Sequence, residues 1–472
     1  MRRAATRYLR AAGAVALGLA IVAGNPGPVR AENLADALVG AYNTSGLLEQ
    51  NRALLRAADE DVALAVSALR PILDFTARVT RDVNEGRTDL GRFNTGLTRA
   101  FAGLRADWLI YDGGARSLGV QAAQETVLAT RQALISVEQL ILFRAAGAYV
   151  NVVLQTENVT LRENNVRVLE EELRAAQDRF EVGEVTKTDV ALAESRLAAS
   201  QSSLAAARGA LDSARAEYVN AVGRQPGALD KTPPMPAVAK SIPEAEAVAV
   251  RNHPDILAVQ HQVTAAELTV DRFTRAYGPN ASVGAEVGMQ EDWSSSNYGR
   301  NAGISLSMRQ PIYQGGALAV NVRRAMATRD AVRANLLTVQ RDVVQNVNDA
   351  YVRLEVAKAS LEATKERVRA AQVAFEGIRE EATLGARTTL DVLTAEQELL
   401  NALTTQISDI SEQYIATYQL LASQGLLTAE KLGLAVQIYD PTMYYKLVKD
   451  APAALSRRGR DLDRVIEALG KK

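Results

Sequence analysis

Apolar residues recur every seven positions along four stretches of the chain. These rows cover residues 145–180, 190–218, 347–382 and 393–421. A seven-residue apolar spacing is typical of helices that pack against one another as in a coiled coil. The rows therefore predict, in each half of the chain, a long helix and an antiparallel helix that returns along it. The predicted helices cover residues 114–180, 187–223, 316–382 and 389–424.

The first of these helices is much longer than a globular domain of this size. At about 1.5 Å per residue, about 65 helical residues span about 98 Å. Proline interrupts helical hydrogen bonding, and it is absent from residues 72–225 and 312–440. Prolines cluster instead within residues 226–254, and 226–241 is predicted to be a linker between two halves. The pattern predicts a rod or a tube.

Four shorter segments alternate apolar and polar residues. They are predicted to be strands near residues 71–83, 97–111, 281–290 and 302–312. In the first, Leu73 and Phe75 alternate with Asp74 and Thr76. Alternating segments of about ten residues are typical of outer-membrane barrel strands, and equally of a soluble sheet with one face in water. The polar segments 84–94 and 291–301 are predicted to be outward-facing loops that join the strands of each pair.

The two halves of the chain repeat one another. Tyr111-Asp112-Gly113-Gly114 recurs 202 residues later as Tyr313-Gln314-Gly315-Gly316. At the same offset, a second set of residues is identical in both halves. These are Gly183, Thr186, Asp189, Val190, Glu194 and Leu197, which recur as Gly385, Thr388, Asp391, Val392, Glu396 and Leu399. A register kept over this distance indicates a duplicated unit, with repeats over residues 32–225 and 242–430.

The amino terminus has the features of a secretory signal. Four arginines and no acid precede an apolar run over residues 11–24, and a Pro/Gly break then leads to small residues at Val29 and Ala31. The run is too short to cross about 30 Å of hydrocarbon, so we expect cleavage after residue 31 rather than a membrane anchor. No later stretch reaches about 18 uninterrupted apolar residues. Export without a helical span favours membrane strands as the meaning of the alternating segments.

Four strands are too few to close a barrel. About eight is the smallest number that encloses a filled interior, and lipid leaves no open strand edge unsatisfied. Several copies would therefore have to share one barrel. The sequence predicts an obligate oligomer that is mainly α-helical and contains transmembrane β-strands.

Composition argues against most kinds of chemistry. The 472 residues include no cysteine and only two histidines, His253 and His261, whose spacing matches no metal-ligand motif. Lys and Arg number 54 against 55 Asp and Glu, so no basic excess points to nucleic acid. We find no Gly-x-x-x-x-Gly-Lys-Ser/Thr phosphate loop and no nucleophile–His–acid arrangement. We therefore expect no enzyme activity, no cofactor and no metal, and the energy for any transport must come from a partner.

These features together resemble the TolC family of outer-membrane efflux and secretion channels. The resemblance runs from about residue 35 to 434 and rests on the heptad helices, the repeated Gly-x-x-Thr-x-x-Asp-Val turns and the repeated strand-to-helix junctions. The junction residues are Tyr111, Gly113, Gly114, Pro311, Tyr313, Gly315 and Gly316. The resemblance implies a homotrimer with a twelve-stranded barrel, four strands from each subunit, above a long α-helical tunnel. Residues 226–241 and 431–472 would belong to an equatorial domain around that tunnel.

The resemblance also implies a function that needs no chemistry. Family members are passive exit ducts of tripartite efflux or type I secretion systems. They lie in the outer membrane of Gram-negative bacteria, and the tunnel extends into the periplasm, where its tip is gated. Their partners are a periplasmic adaptor (a membrane fusion protein) and an inner-membrane ABC or proton-driven transporter. Outer-membrane lipid surrounds the barrel, and nucleic acid is not a partner.

The repeated turns carry the residues to which the resemblance assigns a gate. In the family, the second-half Asp lies on the pore-lining helix at its narrowest point, and here it is Asp391. A second acid one helical turn further on is replaced by Thr394, so cation block should be weaker than with two acidic rings. The closed-state lock joins an arginine of one turn to a Thr and an Asp of the other, which correspond to Arg387, Thr188 and Asp189.

Two further assignments concern the same turns. An aromatic member of the lock is replaced by Ala382, which removes part of that lock. The resemblance also places the adaptor contacts at Val182, Gly183, Leu384 and Gly385.

The turns have a purely local interpretation as well. Gly183 and Gly385 would each close one helix in the left-handed conformation. Thr186 and Thr388, each with the Asp that follows, would cap the next helix. On this interpretation Asp391 is a helix cap rather than a pore residue.

Two other functions fit part of the pattern. A rod-like structural or adhesive coiled-coil protein at the cell surface would explain the heptads, but neither the strand pairs nor the junctions. A periplasmic adaptor subunit also has long hairpins, but it would lack the full duplication and the lipid-facing strands.

Overall fold

The computed structural model describes residues 32–293, 297–454 and 456–470, so the signal predicted over residues 1–31 lies outside the described chain. The described chain is mainly helical and contains one four-stranded sheet. The helices are α1 (Leu34–Thr44), α2 (Gly46–Ser67), α3 (Ala115–Glu181), α4 (Lys187–Val222), α5 (Ile242–Asn252), α6 (Pro254–Arg275), α7 (Ala317–Thr383), α8 (Thr389–Ser423), α9 (Pro441–Val448) and α10 (Arg457–Gly470). The strands are β1 (Ile72–Thr88), β2 (Gly91–Tyr111), β3 (Asn280–Asp292) and β4 (Tyr298–Arg309).

Helices α3 and α7, of 67 residues each, form the long axis of the molecule. Each begins directly after a glycine in the left-handed conformation, Gly114 with φ 85° and Gly316 with φ 86°. Helix α4 returns along α3, and α8 returns along α7. No proline lies within any of these four helices. At about 1.5 Å per residue, α3 and α7 are each about 100 Å long.

The heptad row of the second half stays buried, whereas that of the first half does not. On α7, Val347, Leu354 and Phe375 of the row are all buried. On α3, Phe180 at the end of the row is 45% exposed, and the buried side has moved to neighbouring positions such as Leu169. The predicted long helix is confirmed, with its apolar row buried at the start and exposed at the end.

Helix α3 is also the central helix of the hydrophobic core. Its residues Leu142 and Tyr149 are fully buried, in a cluster with Leu38 of α1, Leu55 of α2 and Tyr218 of α4. Among the described residues, α3 is one helix whose 18-residue window is long and apolar enough to cross a membrane, but half of that window is buried inside the protein. Burial of this kind is expected of a core helix.

The four strands form one antiparallel sheet in the order β1-β2-β3-β4. Strands β1 and β2 belong to the first half of the chain, β3 and β4 to the second. Pairing of β2 with β3, as at Trp108 and Val283, joins the two halves. Strands β1 and β4 each have one neighbour, so the sheet of a single subunit has two open edges.

The strand boundaries differ from the sequence prediction at the loops. The segment 84–94, predicted to be a loop, is a continuation of the hairpin, because β1 pairs with β2 as far as Thr88 and Gly91. Only Asp89 and Leu90 lie between the strands, and Gly91, with φ 129°, tolerates the sharp turn. Hydrogen bonds between the two strands pair the backbone groups of this segment, and its polar sequence gives no sign of that pairing. Segment 291–301 is shorter as a loop for the same reason.

The end of β4 is also earlier than predicted. The strand stops at Arg309 instead of near residue 312. Pro311 has no N–H to donate to a ladder, so pairing cannot continue through it.

Large apolar side chains cover one face of the sheet and are exposed. Leu73 and Phe75 on β1 are each 70% exposed, and Ile304 on β4 is 86% exposed. Arg78 and Arg105 lie on the opposite face, where the Arg105 guanidinium is 2.6 Å from the Asp107 carboxylate. A soluble sheet with one wet face buries its apolar side. This sheet leaves its apolar side uncovered in the described chain, as a lipid-facing strand does.

Shorter helices pack against the long ones, and the sequence analysis did not identify them. Helices α1 and α2 pack on α3, α5 packs on α7, and α6 lies between α3 and α7. The segment predicted to be a linker pairs with the start of the described chain through a bridge between Glu32 and Leu229. The Tyr149 hydroxyl lies 3.0 and 2.8 Å from the backbone carbonyls of Glu32 and Asp230.

The C-terminal segment is held against α2 and α3 by aromatic and cationic side chains. The Arg52 guanidinium of α2 lies 5.2 Å from the ring centre of Tyr42 and 5.1 Å from that of Tyr439. The Tyr444 hydroxyl of α9 donates to Glu60 Oε1 at 2.7 Å. Arginine over an aromatic face gains electrostatic attraction in addition to contact area. The segment is therefore packed against these helices.

Asp59 is an acid buried beneath this segment. Its side chain is fully buried, and neither carboxylate oxygen has a hydrogen-bond partner. Burial raises the pKa of Asp59 to about 6, although the nearby Arg131 opposes the shift. A raised pKa means that the folded protein binds this proton more tightly than the unfolded chain does. The stability from this group is therefore present at low pH and is lost progressively as pH rises from the ordinary pKa of aspartate through about 6.

We expect Asp59→Asn to remove this pH dependence. The variant should raise the thermal midpoint of the purified protein at about pH 7.5 by roughly 1–3 °C more than at about pH 5. Asp61→Asn, at an exposed position on the same helix, is the matched control and should show no such difference. Equal shifts of the midpoint at both pH values for Asp59→Asn would mean that this carboxyl is not protonated near pH 5.

Candidate functional site

The two turns that end α3 and α7 have the same backbone. Gly183 and Gly385 adopt φ angles of 83° and 76°. The N–H that follows each glycine donates to a carbonyl five residues earlier, at 2.9 Å in both turns. These bonds satisfy carbonyls that the helix end leaves free, and they require the left-handed conformation at the glycine. Glycine adopts it without strain.

A reciprocal cap begins each returning helix. In the first turn, Thr186 N–H donates to Asp189 Oδ2 at 2.8 Å, and Asp189 N–H donates to Thr186 Oγ1 at 3.3 Å. In the second turn, Thr388 and Asp391 make the same two bonds at 3.0 and 3.2 Å. Each pair is a capping box, in which the side-chain oxygen of each residue accepts a hydrogen bond from the backbone N–H of the other.

The local role expected for Asp391 is therefore present in the structure. Its Oδ2 also accepts a hydrogen bond from the Thr388 hydroxyl at 2.8 Å. The backbone and hydroxyl bonds from Thr388 hold the pKa of Asp391 below its usual range, so the carboxylate is charged at neutral pH. Thr394, one turn later, is exposed and donates to the backbone carbonyl of Leu390 at 2.8 Å. Each subunit thus carries one fixed negative charge at the start of α8.

The residues assigned to a lock are not joined within one subunit. Arg387 donates from Nε to Glu381 Oε2 at 2.7 Å, so its partner lies in its own turn. Asp189 is engaged in the cap of α4, and Thr188 is exposed. Ala382, which stands where an aromatic residue was expected, is buried between α7 and α8 in a cluster with Phe375 and Val392.

Both turns expose an apolar side chain next to the glycine. Val182 is 71% exposed and Leu384 is 84% exposed. A Cβ added to Gly183 or Gly385 would meet no atom within 4 Å, so the surface around each glycine is open. Exposed apolar residues beside bare backbone allow a close approach by another chain.

A buried polar cluster joins the two hairpins above the turns. The Asn165 amide of α3 donates to Glu396 Oε1 of α8, and the Ser200 hydroxyl of α4 donates to Asn165 Oδ1. All three side chains are buried, and burial raises the pKa of Glu396. The sequence analysis noted Glu396 only as a repeated residue. The sequence shows Asn165 only as a polar residue beside the apolar row of α3, which does not identify its partner.

The strand-to-helix junctions are built alike in both halves. Gly113 and Gly315 have φ angles of 65° and 61°, and the glycine after each is also left-handed. In the first junction, Asp112 accepts hydrogen bonds from Gly114 N–H at 3.0 Å and from Arg116 N–H at 2.9 Å. The tyrosines that begin the two motifs, Tyr111 and Tyr313, are 53% and 82% exposed. The first junction leads from β2 into α3 through three residues, and the second leads from β4 into α7 through seven.

Both histidines have local partners. His253 caps α6 by accepting the Asp255 N–H at 3.2 Å. His261 Nδ1 lies 2.7 Å from Glu125 Oε2. Across the described ranges, no group of three or more His, Asp or Glu residues is placed to hold a metal ion.

Comparison with known proteins points to one family. The model of the family described as "Outer membrane efflux protein" matches residues 41–224 and 247–426, that is, both repeats. The chain is 34% identical to the outer membrane efflux protein BepC of Brucella suis over 421 residues, which cover 89% of this chain and 91% of BepC. It is 33% identical to the outer membrane protein TolC of Escherichia coli over 127 residues, 27% of this chain and 25% of TolC.

The fold also has solved counterparts. The crystal structure of the outer membrane protein VceC from Vibrio cholerae superposes with a TM-score of 0.72 at 19% sequence identity. The superposition covers 83% of this chain and 96% of VceC. At this identity the likeness concerns the fold: long paired helices joined to a four-stranded sheet.

Proposed function

The chain belongs to the outer membrane efflux protein family, and on that premise we propose that it forms the exit duct of an efflux or type I secretion system. It is an outer-membrane protein whose long helices extend into the periplasm. Three copies would share one barrel, each contributing β1 to β4. The observation that carries the proposal is the sheet, which has an exposed apolar face and two open edges and leads through short junctions into helices of 67 residues.

The open edges support a shared barrel. An unpaired strand edge leaves N–H and C=O groups that lipid cannot satisfy, so β1 of one copy would pair with β4 of the next. The exposed apolar face supports the placement of the barrel in lipid, because Leu73, Phe75 and Ile304 would otherwise face water. Neither a surface coiled-coil rod nor a periplasmic adaptor accounts for such a sheet.

We expect the purified protein to be a trimer in detergent. A monomer would expose both edges of its sheet, so the trimer should persist wherever the barrel is folded. Native mass spectrometry or light scattering combined with circular dichroism tests this expectation. A monodisperse monomer with the β-content of the folded protein would contradict the shared barrel.

The helix turns would form the periplasmic tip of the duct. We propose that Val182, Gly183, Leu384 and Gly385 contact a periplasmic adaptor, which links the duct to an inner-membrane transporter. The exposed Val182 and Leu384 beside open glycine backbone support this contact. The family consists of channel proteins, and on the proposed function the chain supplies a path rather than a reaction.

The same tip would hold the gate. We propose that Asp391 of three copies forms an acidic ring on the pore-lining helix, followed by Thr394. The fixed charge of Asp391 at the start of α8 supports a cation-binding ring. We also propose that Arg387 contacts Thr188 and Asp189 of a neighbouring turn when the tip is closed. Its exposed pair with Glu381 would exchange easily, because exposed ion pairs contribute little free energy.

Ion conduction in planar bilayers tests the duct directly. We expect reconstituted trimers to conduct, because the barrel and the helices would enclose a continuous aqueous path. Protein that remains trimeric but never conducts would contradict the proposal.

A further inference from the structure

The segment that precedes α10 lies close to the start of β1. Arg70, two residues before β1, donates from Nη1 to the Ala451 carbonyl at 2.6 Å and from Nη2 to the Asp450 carbonyl. On α10, Leu462 is 8% exposed and packs with Ala63 of α2 in a small hydrophobic cluster. Helix α2 ends only a few residues before β1 begins. Helix α10 therefore starts near the level at which the strands start.

Aromatic residues mark that level as a membrane surface. The indole N–H of Trp108, on β2, donates to the Leu69 carbonyl at 3.0 Å, and its side chain is 46% exposed. Tyr111, at the end of the same strand, is 53% exposed. Partly exposed Trp and Tyr at strand ends form the aromatic girdle of outer-membrane barrels. On the proposed function, residues 69–70 and the tail bound to Arg70 lie at the periplasmic surface of the membrane.

Helix α10 has an apolar side that the subunit covers only in part. Leu462, Val465 and Ile466 follow the i, i+3, i+4 spacing that places side chains on one face of a helix. Leu462 is buried, but Val465 is 37% and Ile466 is 46% exposed. The apolar face thus continues beyond the cluster that anchors it and is uncovered there.

The positive charges of α10 indicate that an anionic surface covers its exposed apolar side. Residues 457–472 contain four arginines and two lysines against three acids, whereas residues 32–472 as a whole carry a net charge of −6. Three of the arginines, Arg457, Arg458 and Arg460, lie in the first turn, which contains no acid. Cations at a helix start are repelled by the helix dipole. Arg458 is paired with Asp450 within the subunit, whereas Arg457 and Arg460 do not stabilise the isolated helix, and an external anion would compensate for their placement.

We propose that α10 lies on the periplasmic leaflet of the outer membrane as an amphipathic helix. Val465 and Ile466 enter the boundary between headgroups and acyl chains, and Arg457 and Arg460 contact phosphate groups of anionic phospholipid. This inference rests on the proposed barrel, because it uses the strands to locate the membrane. In a trimer, three such helices form a collar around the base of the barrel and fix its depth in the bilayer.

Spin labelling tests this placement at a single introduced cysteine, because the chain contains no cysteine of its own that the label could modify. Trimers of Ile466→Cys are labelled in nanodiscs that contain phosphatidylglycerol, and collisions are measured with oxygen and with a water-soluble nickel complex. Phe75→Cys, on the apolar face of β1, is the lipid reference. Val182→Cys, at the helix turn, is the water reference. We expect the label at residue 466 to resemble that at residue 75, with frequent oxygen and rare nickel collisions.

Each other result has one meaning. Frequent nickel collisions at residue 466 would place α10 in water, and rare collisions with both agents would place it against a neighbouring subunit. Either outcome overturns the membrane placement. If residue 75 itself is not lipid-exposed, the proposed barrel fails instead, so the two failures are distinguishable.

A second variant tests the role of charge. Arg457→Gln combined with Arg460→Gln leaves the Arg458–Asp450 ion pair, 3.2 Å, in place. In nanodiscs that contain phosphatidylglycerol, nickel collisions at residue 466 should be severalfold more frequent in the double variant than with both arginines present. In nanodiscs of phosphatidylcholine alone, the two proteins should give the same collision frequency. Unchanged nickel collisions in both comparisons would overturn the contact with anionic lipid.

Discussion

Gly183→Arg and Gly385→Arg should each abolish export while the trimer and its barrel remain intact. Both glycines have positive φ, and an arginine there must strain the backbone or unwind the turn. The added side chain would also project from the surface between the exposed Val182 or Leu384 and an approaching adaptor. Since a Cβ at either position meets no atom within 4 Å, the loss would not come from a clash inside the subunit.

Three measurements make this prediction specific. Export is measured in cells from which the gene has been deleted and to which the wild-type or variant gene is returned. The readout is resistance to toxic compounds, or release of a secreted polypeptide, that the wild-type gene restores. Assembly is scored by the mass of the purified trimer, and docking by cross-linking from Val182→Cys to periplasmic proteins. We expect export and cross-linking to fall together to background while the trimer mass is unchanged.

Matched variants separate the backbone from the surface. Asn tolerates the left-handed conformation better than other residues with a side chain. Gly183→Asn and Gly385→Asn should therefore retain most export. Gly209→Arg, at an exposed helical glycine of α4 with open surroundings, should have no effect. Export that survives arginine at both turns would show that the adaptor docks elsewhere.

The long helices could be predicted because each rests on a signal that repeats. Heptad spacing, the absence of proline and a glycine at both ends all point to the same limits, and α3 begins at Ala115 and ends at Glu181, within a residue of the expected range. The glycine turns were equally readable, because Gly183 and Gly385 are followed at the same distance by Thr and Asp. Local chemistry determines these features, so local sequence predicts them.

The short helices were missed because tertiary contacts stabilise them. Helix α1 has 11 residues, too few to be stable alone in water. It forms because Leu38 and Ala41 are buried in the core around α3. The hairpin at residues 84–94 was missed for a related reason. Its polar residues have no alternation to read, and only the pairing of the two strands reveals them as a ladder.

The polar contacts near the tip depend on three-dimensional neighbours. Asn165 and Glu396 are 231 residues apart in sequence, and nothing in either half identifies the other as its partner. Arg387 shows the opposite case. Resemblance directs attention to a lock with the other turn, whereas the subunit pairs it with Glu381, six residues away. The proposed lock joins turns of neighbouring copies, so it depends on contacts between subunits.

Asp391→Asn should weaken the block of the channel by divalent cations by about tenfold or more, with a modest change in conductance. A cleft lined by charge of one sign concentrates counterions by about 10- to 1000-fold, and three carboxylates around one axis would act in this way. The bonds from Thr388 keep the carboxylate ionised, since they hold its pKa below the usual range. Block by divalent cations should therefore persist on mild acidification and be lost only below the ordinary pKa of aspartate.

The substitution removes charge but not the cap. An asparagine side chain also accepts a hydrogen bond from a backbone N–H at a helix start, so in the variant its carbonyl oxygen can take over the bond that Thr388 N–H now donates to Asp391 Oδ2 at 3.0 Å. Asp189→Asn is the matched control, because Asp189 makes the same capping box with Thr186 on α4, the helix not assigned to the pore. Single-channel recordings with increasing divalent cation on the periplasmic side compare the two variants. If both weaken the block equally, the effect is general surface charge. If neither does, Asp391 is a helix cap and the constriction lies elsewhere along α8.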